Sequence, residues 1–295
     1  MKTIEKRWER EWSERWFQFV LEHPDKEWGW NGISQNPNVS WETIQGNLDK
    51  PWHWGGISRN YNTTWEIIQS NPDKPWDWYW LSQNPNITWE TIQANPDKPW
   101  DWNGISNNPN ITWDVIQANP DKPWDRFYIS KNPNITWDVI QGNSDKPWRW
   151  LGISQNPNIT WETIQRNPDR PWDWFSVSWN PNITWDIIQA KSNLDWDWYG
   201  ISQNPNITWD IINANPDKPW DWTAISRNPN ITWETIQTNP DKPWHWLYIS
   251  WNPMTKAKND FLHKKRQEYY NPIVRSVFGE KGFPLELVPT VLNHL

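Results

Sequence analysis

The feature that most constrains the fold is a 24-residue unit that recurs without insertion through most of the chain. One copy, residues 73–95, reads DKPWDWYWLSQNPNITWETIQAN. One tryptophan column runs from Trp28 to Trp244 at this spacing, and a second runs from Trp41 to Trp233. A fixed period of this length is typical of tandem-repeat proteins, in which each unit packs against its neighbours. We therefore predict one array over residues 24–253.

Each unit carries two signals for a short helix. Thr88 is a good N-cap residue, and the acidic residue two positions later favours the positive end of the helix dipole. Ile87 and Ile92 have the spacing of a hydrophobic staple. The earlier half of the unit predicts a second helix, capped by Asp73 and ended by Asn84 before a proline. Each half should therefore form one helix of about two turns.

These signals predict an all-α fold, an α-solenoid of about ten short helix-turn-helix repeats of 24 residues with capping segments at both ends. With neighbouring helices 8–10 Å apart, the array should form a rod or superhelix about 90 Å long. Buried tryptophans should hold it together, because helices this short do not persist alone in water. The alternative is a leucine-rich repeat, since Ile-Ser-x-Asn-Pro-Asn-Ile resembles an asparagine ladder after a short strand. The prolines and the Thr-Trp-Glu helix start favour helices.

The segments that flank the array differ from the repeat. Residues 2–22 have apolar residues at three- and four-residue spacing, so residues 1–23 should form an N-terminal capping helix. Residues 254–295 should form a basic helix followed by a capping tail. The basic helix has two interpretations: it covers the end of the acidic array, or it docks onto an acidic partner.

Composition limits the chemistry that the chain can perform. The chain has no cysteine, a formal net charge of -7 and no apolar run long enough to span a membrane. It has no glycine-rich phosphate loop and no histidine pair at metal-ligand spacing. The acidic residues recur equally in the repeats, whereas catalysis needs an unequal pair. We therefore predict a non-enzymatic protein with no catalytic residues, no cofactor and no metal.

Some positions vary between repeats while the scaffold columns do not, and three of them carry aromatic or basic residues. Variable aromatic and basic residues on a fixed scaffold are typical of an interaction surface. They predict a scaffold for protein–protein interaction or structural assembly, with a protein as the partner. The alternative is a carbohydrate- or nucleic-acid-binding module, although the negative charge makes nucleic acid the weaker choice. The candidate interaction surface comprises Tyr79, Trp80, Arg126, Phe127, Tyr128, Phe175, Trp179, Arg227, Tyr248 and Trp251.

The uninterrupted unit NPNITW(D/E)xIQxNPDKPWDW resembles the Trp-rich tandem repeats of proteins from giant nucleocytoplasmic DNA viruses of the mimivirus type. The resemblance covers roughly residues 24–253 and transfers no functional residue. It implies a viral protein made or used in an infected cell. Together with the charged N-terminus, which has no apolar signal core, it predicts a soluble protein of the host-cell cytoplasm or the virion that is not secreted. The many Asn-x-Thr sites should then stay unglycosylated, with the threonines serving as helix caps.

Overall fold

The structure, a computed structural model, describes the backbone of residues 2–278 and the side chains of residues 4–270. The described residues form helices and connecting turns only, which confirms the all-α solenoid. The first helix of each repeat is α2 (Trp30–Gln35), α4 (Trp54–Arg59), α6 (Trp78–Ser82), α8 (Trp102–Asn107), α10 (Arg126–Lys131), α12 (Trp150–Gln155), α14 (Trp174–Ser178), α16 (Trp198–Gln203), α18 (Trp222–Arg227) and α20 (Trp246–Ile249). The second helix is α3 (Trp41–Gln45), α5 (Trp65–Ser70), α7 (Trp89–Ala94), α9 (Trp113–Ala118), α11 (Trp137–Gly142), α13 (Trp161–Arg166), α15 (Trp185–Ala190), α17 (Trp209–Ala214) and α19 (Trp233–Thr238). The flanking helices are α1 (Lys2–Glu22) and α21 (Thr255–Phe278).

In most repeats both helices begin at a side-chain cap. In α7 the Thr88 hydroxyl accepts a hydrogen bond from the Thr91 N–H at 3.3 Å, as the sequence predicts. In α6 the cap is Asp77, which accepts from the Trp80 N–H, and not Asp73. The prediction of Asp73 was wrong because the backbone between it and Asp77 forms a turn, in which the Trp76 N–H donates to the Lys74 carbonyl.

Isoleucine, rather than tryptophan, fills the centre of the array. In the third repeat Leu81, Ile87 and Ile92 are 0%, 0% and 5% exposed. Equivalent residues form three continuous buried columns. Among the three tryptophan columns only Trp76 and Trp172 are buried, so the expectation of a core built from buried tryptophan was wrong. The other indoles pack edge to face over the outside of the isoleucine columns.

Two buried polar columns join each repeat to the one before it. The Asn108 amide donates to the backbone carbonyls of Ser82 and Asn84, at 2.9 Å and 3.1 Å. The Ser82 hydroxyl accepts from the backbone N–H of Asp101 at 2.9 Å. These bonds recur along the array and satisfy backbone groups that the short helices leave unpaired.

The same contacts join the last repeat to the first, so the array is a closed ring. The Asn36 amide donates to the carbonyls of Ser250 and Asn252, and the Gly29 N–H donates to the Ser250 hydroxyl. Trp28 also packs edge to face on Trp246 at 5.3 Å. The expectation of an elongated rod was therefore wrong. The residues of one unit predict how neighbouring repeats pack. They do not reveal the small rotation between neighbours, which accumulates around the array until its two ends meet.

The tenth repeat is completed by the opposite end of the chain. α20 supplies its first helix, and the C-terminal half of α1 supplies its second helix. Phe17 precedes Trp41 by one repeat length and takes the equivalent position. Phe17 stacks on Trp52 at 5.5 Å, in the same way as Trp41 packs on Trp76 one repeat later. The Trp28 indole donates to the His23 carbonyl, as the Trp52 indole does to that of Asn47. The end of α1 is thus in register with the array.

The rest of α1 packs against α21. Trp8 contacts Tyr269 and Tyr270 edge to face, and Trp12 packs on Phe261 at 5.5 Å. Two ion pairs lie across this contact: Lys265 with Glu11 at 2.7 Å and Arg266 with Glu5 at 3.0 Å. Residues 279–295, the second half of the predicted capping tail, lie outside the described residues.

Candidate functional site

The three variable positions of the repeat lie on one face of each first helix. In the third repeat these positions are Tyr79, Trp80 and Gln83, whose spacing of i, i+1 and i+4 places them on the same side. The first helices of neighbouring repeats pack directly against one another, whereas the second helices contact each other much less. The first helices therefore form the inner wall of the ring, and the second helices form its outer wall.

Contacts between repeats that are not neighbours show that the variable face points into the ring. The hydroxyls of Tyr79 and Tyr128, two repeats apart, lie 3.0 Å from each other. Residues from the ninth, tenth, first, second, third and fourth repeats also line one cavity. Only side chains directed toward the centre of a closed ring can meet in this way. We call this surface the inner face.

The cavity forms a bowl at the end of the inner face where the first helices finish. Its volume is about 390 Å³. Two arginines, Arg59 and Arg227, reach into it, and Trp251 and Tyr61 supply aromatic surface. Prolines of several repeats form its border. The complete lining consists of Gln35, Pro37, Arg59, Tyr61, Gln83, Pro85, Asn107, Pro109, Arg227, Trp251 and Pro253.

Cations on the inner face lie over aromatic rings. The Arg59 guanidinium is 4.4 Å from the centre of the Trp80 ring, and that of Arg227 is 4.8 Å from the Trp251 ring. The Lys131 ammonium lies over Phe127 and Tyr128 at 5.4 Å and 5.3 Å. The aromatic faces hold these cations in place without neutralising them.

At the end of the inner face near the bowl, the positive charges of Arg59, Arg227 and Lys131 are not neutralised. Burial lowers the pKa of the Arg59 guanidinium, and the Arg227 charge lowers it further. Burial also lowers the pKa of the Lys131 ammonium, and Arg59 adds to that effect. Among the described side chains, no carboxylate lies within 4.0 Å of the charged nitrogens of these three residues.

The opposite end of the inner face carries acidic residues that are already engaged. Asp101 and Asp197 accept hydrogen bonds from the helix N–H groups of Gly104 and Gly200. Asp197 also accepts from the Trp179 indole at 3.2 Å. The helices that separate the two ends are about 9 Å long, so the acidic and basic ends stay distinct.

Nine of the ten predicted surface residues lie on the inner-face positions of the first helices, and Arg126 does not. Arg126 occupies a tryptophan column and is exposed on the outer wall. There it borders a groove of about 560 Å³ with Trp124 and Trp148. In the next repeat, Trp172 packs edge to face on Trp150. Trp148 has no such partner, because Arg126 occupies the position equivalent to Trp150.

Sequence reasoning missed two features of the bowl. Tyr61, which replaces the first proline of its repeat and is not among the predicted surface residues, lines the bowl and is 63% exposed. The amide nitrogen of Gln83, also in the lining of the bowl, is buried without a hydrogen-bond partner among the described residues. The sequence signal for these donors is the variable column just before the asparagine, which includes Gln83. All ten residues of this column carry a side-chain N–H donor, and none is acidic.

The described part of the chain contains no cluster of three or more histidine, aspartate or glutamate residues that could hold a metal ion. No helix among residues 2–278 is long and apolar enough to cross a membrane. In comparisons with known proteins, no family model, no curated protein and no solved structure matches this chain.

Proposed function

We propose that the protein is a non-enzymatic repeat scaffold for protein–protein interaction, and that its partner binds at the inner face and the bowl. The observation that carries this proposal is the separation of constant and variable residues. The constant residues build the wall through the Ser82 and Asn84 columns and the isoleucine columns. The variable residues gather on one concave surface, where aromatic and arginine side chains are common binding determinants.

The resemblance to Trp-rich repeat proteins of giant DNA viruses suggests where to look for the partner. We propose that the chain acts in an infected host cell or in the virion. Its repeated carboxylates cap helices, which supports a structural rather than a catalytic role for them.

The test is affinity capture from infected host cells with matched variants. Arg227→Glu and Lys131→Glu reverse charges on the inner face. Arg166→Glu and Lys98→Glu reverse charges on the outer wall, where both side chains are exposed. We expect a partner that the wild type and the outer variants retain and that the inner variants lose. A partner that only the outer variants lose would place binding on the outer wall and contradict the proposal.

The second candidate is a carbohydrate- or nucleic-acid-binding module. The stacking of Arg59 on Trp80 favours it, because such pairs also bind sugars and bases. A glycan array and a salt-dependent titration with single-stranded RNA distinguish this candidate from a protein scaffold. Binding of RNA should weaken steeply as the salt concentration rises.

A further inference from the structure

The bowl has a specific chemical character: it offers hydrogen-bond donors and positive charge with few acceptors to oppose them. The ten residues of the variable column before the asparagine are glutamine, arginine, asparagine, lysine or tryptophan, and each has an N–H group. The chain as a whole has a net charge of -7, yet this column contributes three positive charges and no negative one. This column is therefore positively charged, in contrast to the negative net charge of the chain.

The internal hydrogen bonds leave much of this donor capacity unused. The Arg59 guanidinium donates to the Gln35 side-chain oxygen at 3.2 Å, and Asn107 donates to that of Gln83. These two bonds occupy the side-chain oxygens of Gln35 and Gln83, whereas the Gln35 amide N–H donates within its own helix to the Asn31 carbonyl at 3.3 Å. Within the lining of the bowl, the amide nitrogen of Gln83 then has no acceptor among the described residues. A buried donor without a partner is unfavourable, because it has lost its hydrogen bonds to water.

The Arg59 charge is also repelled by the two other cations of this column, Arg227 and Lys131. Arg59 and Arg227 lie in the second and ninth repeats, and Lys131 lies in the fifth. Burial and the neighbouring positive charge lower the pKa of Arg59, because both disfavour its charged form. A bound anion would offset both the repulsion and the unpaired donors.

From these contacts we propose that the bowl binds a compact, multiply charged phosphate anion between Arg59 and Arg227. Phosphate fits because guanidinium groups bind its oxygens in pairs, and because several N–H groups surround the same space. The volume of about 390 Å³ accommodates a phosphate group with a small organic substituent. Trp251 and Tyr61 can contact an apolar group on that molecule. This inference rests on the proposed binding role of the inner face and names the ligand class of that site.

The experiment is isothermal titration of the whole chain with inorganic pyrophosphate at low ionic strength. We expect one site per chain for the wild type. Arg59→Gln and Arg227→Gln should each weaken binding about tenfold to a hundredfold, because each removes one charged hydrogen-bond donor group. Arg166→Gln, on the outer wall and paired with Glu162 at 2.6 Å, should leave the affinity unchanged.

Two further measurements separate a lost site from a damaged fold. Without anion, Arg227→Gln should have an unfolding midpoint equal to or above that of the wild type, because the substitution relieves repulsion with Arg59. Pyrophosphate should raise the midpoint of the wild type but not that of the double variant Arg59→Gln/Arg227→Gln. Phenyl phosphate as a second probe should bind more tightly than inorganic phosphate if Trp251 and Tyr61 contact the organic group.

Several outcomes would overturn the inference. They are no heat of binding for the wild type, undiminished binding in the double variant, and equal or tighter binding of a tetraglutamate peptide. If pyrophosphate fails while a partner protein still requires Arg227 for capture, the proposed function stands and only the phosphate class is wrong. If pyrophosphate binds and no partner depends on the inner face, the phosphate site stands and the protein-scaffold role is wrong.

Discussion

At the scale of single residues, each asparagine of the buried column pairs several backbone groups at once. The Asn132 amide donates to the carbonyls of Ser106 and Asn108 at 3.2 Å and 2.9 Å, and its oxygen accepts from the Asn134 N–H. One side chain thus pairs three backbone groups and joins two repeats. Sequence reasoning identified the column as constant and as hydrogen-bonding, and the structure shows which carbonyls it bonds.

We predict that Asn132→Ala lowers the free energy of unfolding by about 3 kcal/mol, because it leaves buried backbone groups without partners. Asn132→Asp should cost more, because a carboxylate would face two carbonyl oxygens. Chemical denaturation measures both variants. Gln117→Ala is the control, since Gln117 is exposed on a second helix and should change the stability by less than about 0.5 kcal/mol. A loss at Asn132 no larger than at Gln117 would contradict the assigned bonds.

Tyr128 should titrate abnormally because of its position on the inner face. The hydrogen bond between the Tyr128 and Tyr79 hydroxyls, together with burial, raises the pKa of Tyr128 from its ordinary value of 10.0 to about 12. A raised pKa favours the neutral phenol in the folded ring. The stability that this contact contributes is therefore complete below about pH 10, and it is lost as the pH rises through about 12.

The measurement is the ultraviolet absorbance of tyrosinate as a function of pH. In the wild type we expect the ionisation of Tyr128 as a late step in absorbance near pH 12. Tyr79→Phe should remove that step, because Tyr128 then ionises at lower pH. Tyr61→Phe is the control and should keep the late step, since Tyr61 takes no part in the hydrogen bond of the Tyr79–Tyr128 pair and is exposed at the edge of the bowl. A late step that survives in Tyr79→Phe would show that the Tyr79 hydroxyl is not its cause.

At the scale of secondary-structure elements, the sequence predicted the second helices well and the first helices less well. Thr88, Ile87 and Ile92 are local signals, and they act locally in the structure. For the first helix the sequence predicted Asp73 as the cap, whereas the structure uses Asp77. Choosing between them requires knowing that the residues after Asp73 form a turn, which depends on the packing of Trp76 against the previous repeat. Tertiary packing thus decided what local preference could not.

The first helix of the sixth repeat lacks a side-chain cap, and this allows a stabilising substitution. Arg149 occupies the position of Asp77 and makes no capping bond. In α8 and α16 an aspartate at this position accepts from the N–H of a glycine that corresponds to Gly152. We predict that Arg149→Asp raises the free energy of unfolding by about 0.5–2 kcal/mol, measured by chemical denaturation.

The control is Arg149→Ala, which removes the same charge without supplying an acceptor. Its stability should stay within about 0.5 kcal/mol of the wild type, because Arg149 is exposed. If alanine stabilised the chain as much as aspartate, the gain would come from removing the arginine and the capping argument would fail.

At the scale of the whole molecule, ring closure is the property that the sequence did not reveal. A repeat predicts the contact with its neighbour, but ten small rotations add up to a shape that no single unit encodes. The in-register end of α1 was missed for a different reason. Phe17 and Val20 stand where the repeat has tryptophan and isoleucine, and the charged residues before them favoured a separate cap.

Small-angle X-ray scattering distinguishes the ring from the rod. A compact chain of this length has a radius of gyration of about 19 Å, and we expect a value of about 20 Å for the ring. A rod about 90 Å long would give about 27 Å, because most of its mass lies far from its centre. A value close to that of the rod would show that the closure between Asn36 and Asn252 does not form in solution.

The last prediction concerns the two chain ends, which meet at the tenth repeat but contribute differently to it. α1 places Phe17 and Val20 in the core of the ring, where they are 4% and 2% exposed. Removing Phe17 by Phe17→Ala should therefore cost about 3–5 kcal/mol and increase the radius of gyration as the ring opens. Gln18→Ala, exposed on the same helix, should change neither.

α21 instead packs on the outside of α1, through Phe261 and two partly exposed ion pairs. Such pairs contribute little by themselves, so truncation after Pro253 should lower the unfolding midpoint mainly by uncovering Trp8 and Trp12. The ring should stay closed, because the tenth repeat keeps Phe17 and the Asn36 bonds to Ser250 and Asn252. An unchanged midpoint would favour a docking role for α21, and loss of partner capture by the truncated chain would then support it. A truncated chain with the radius of gyration of a rod would show that α21 is itself part of the closure.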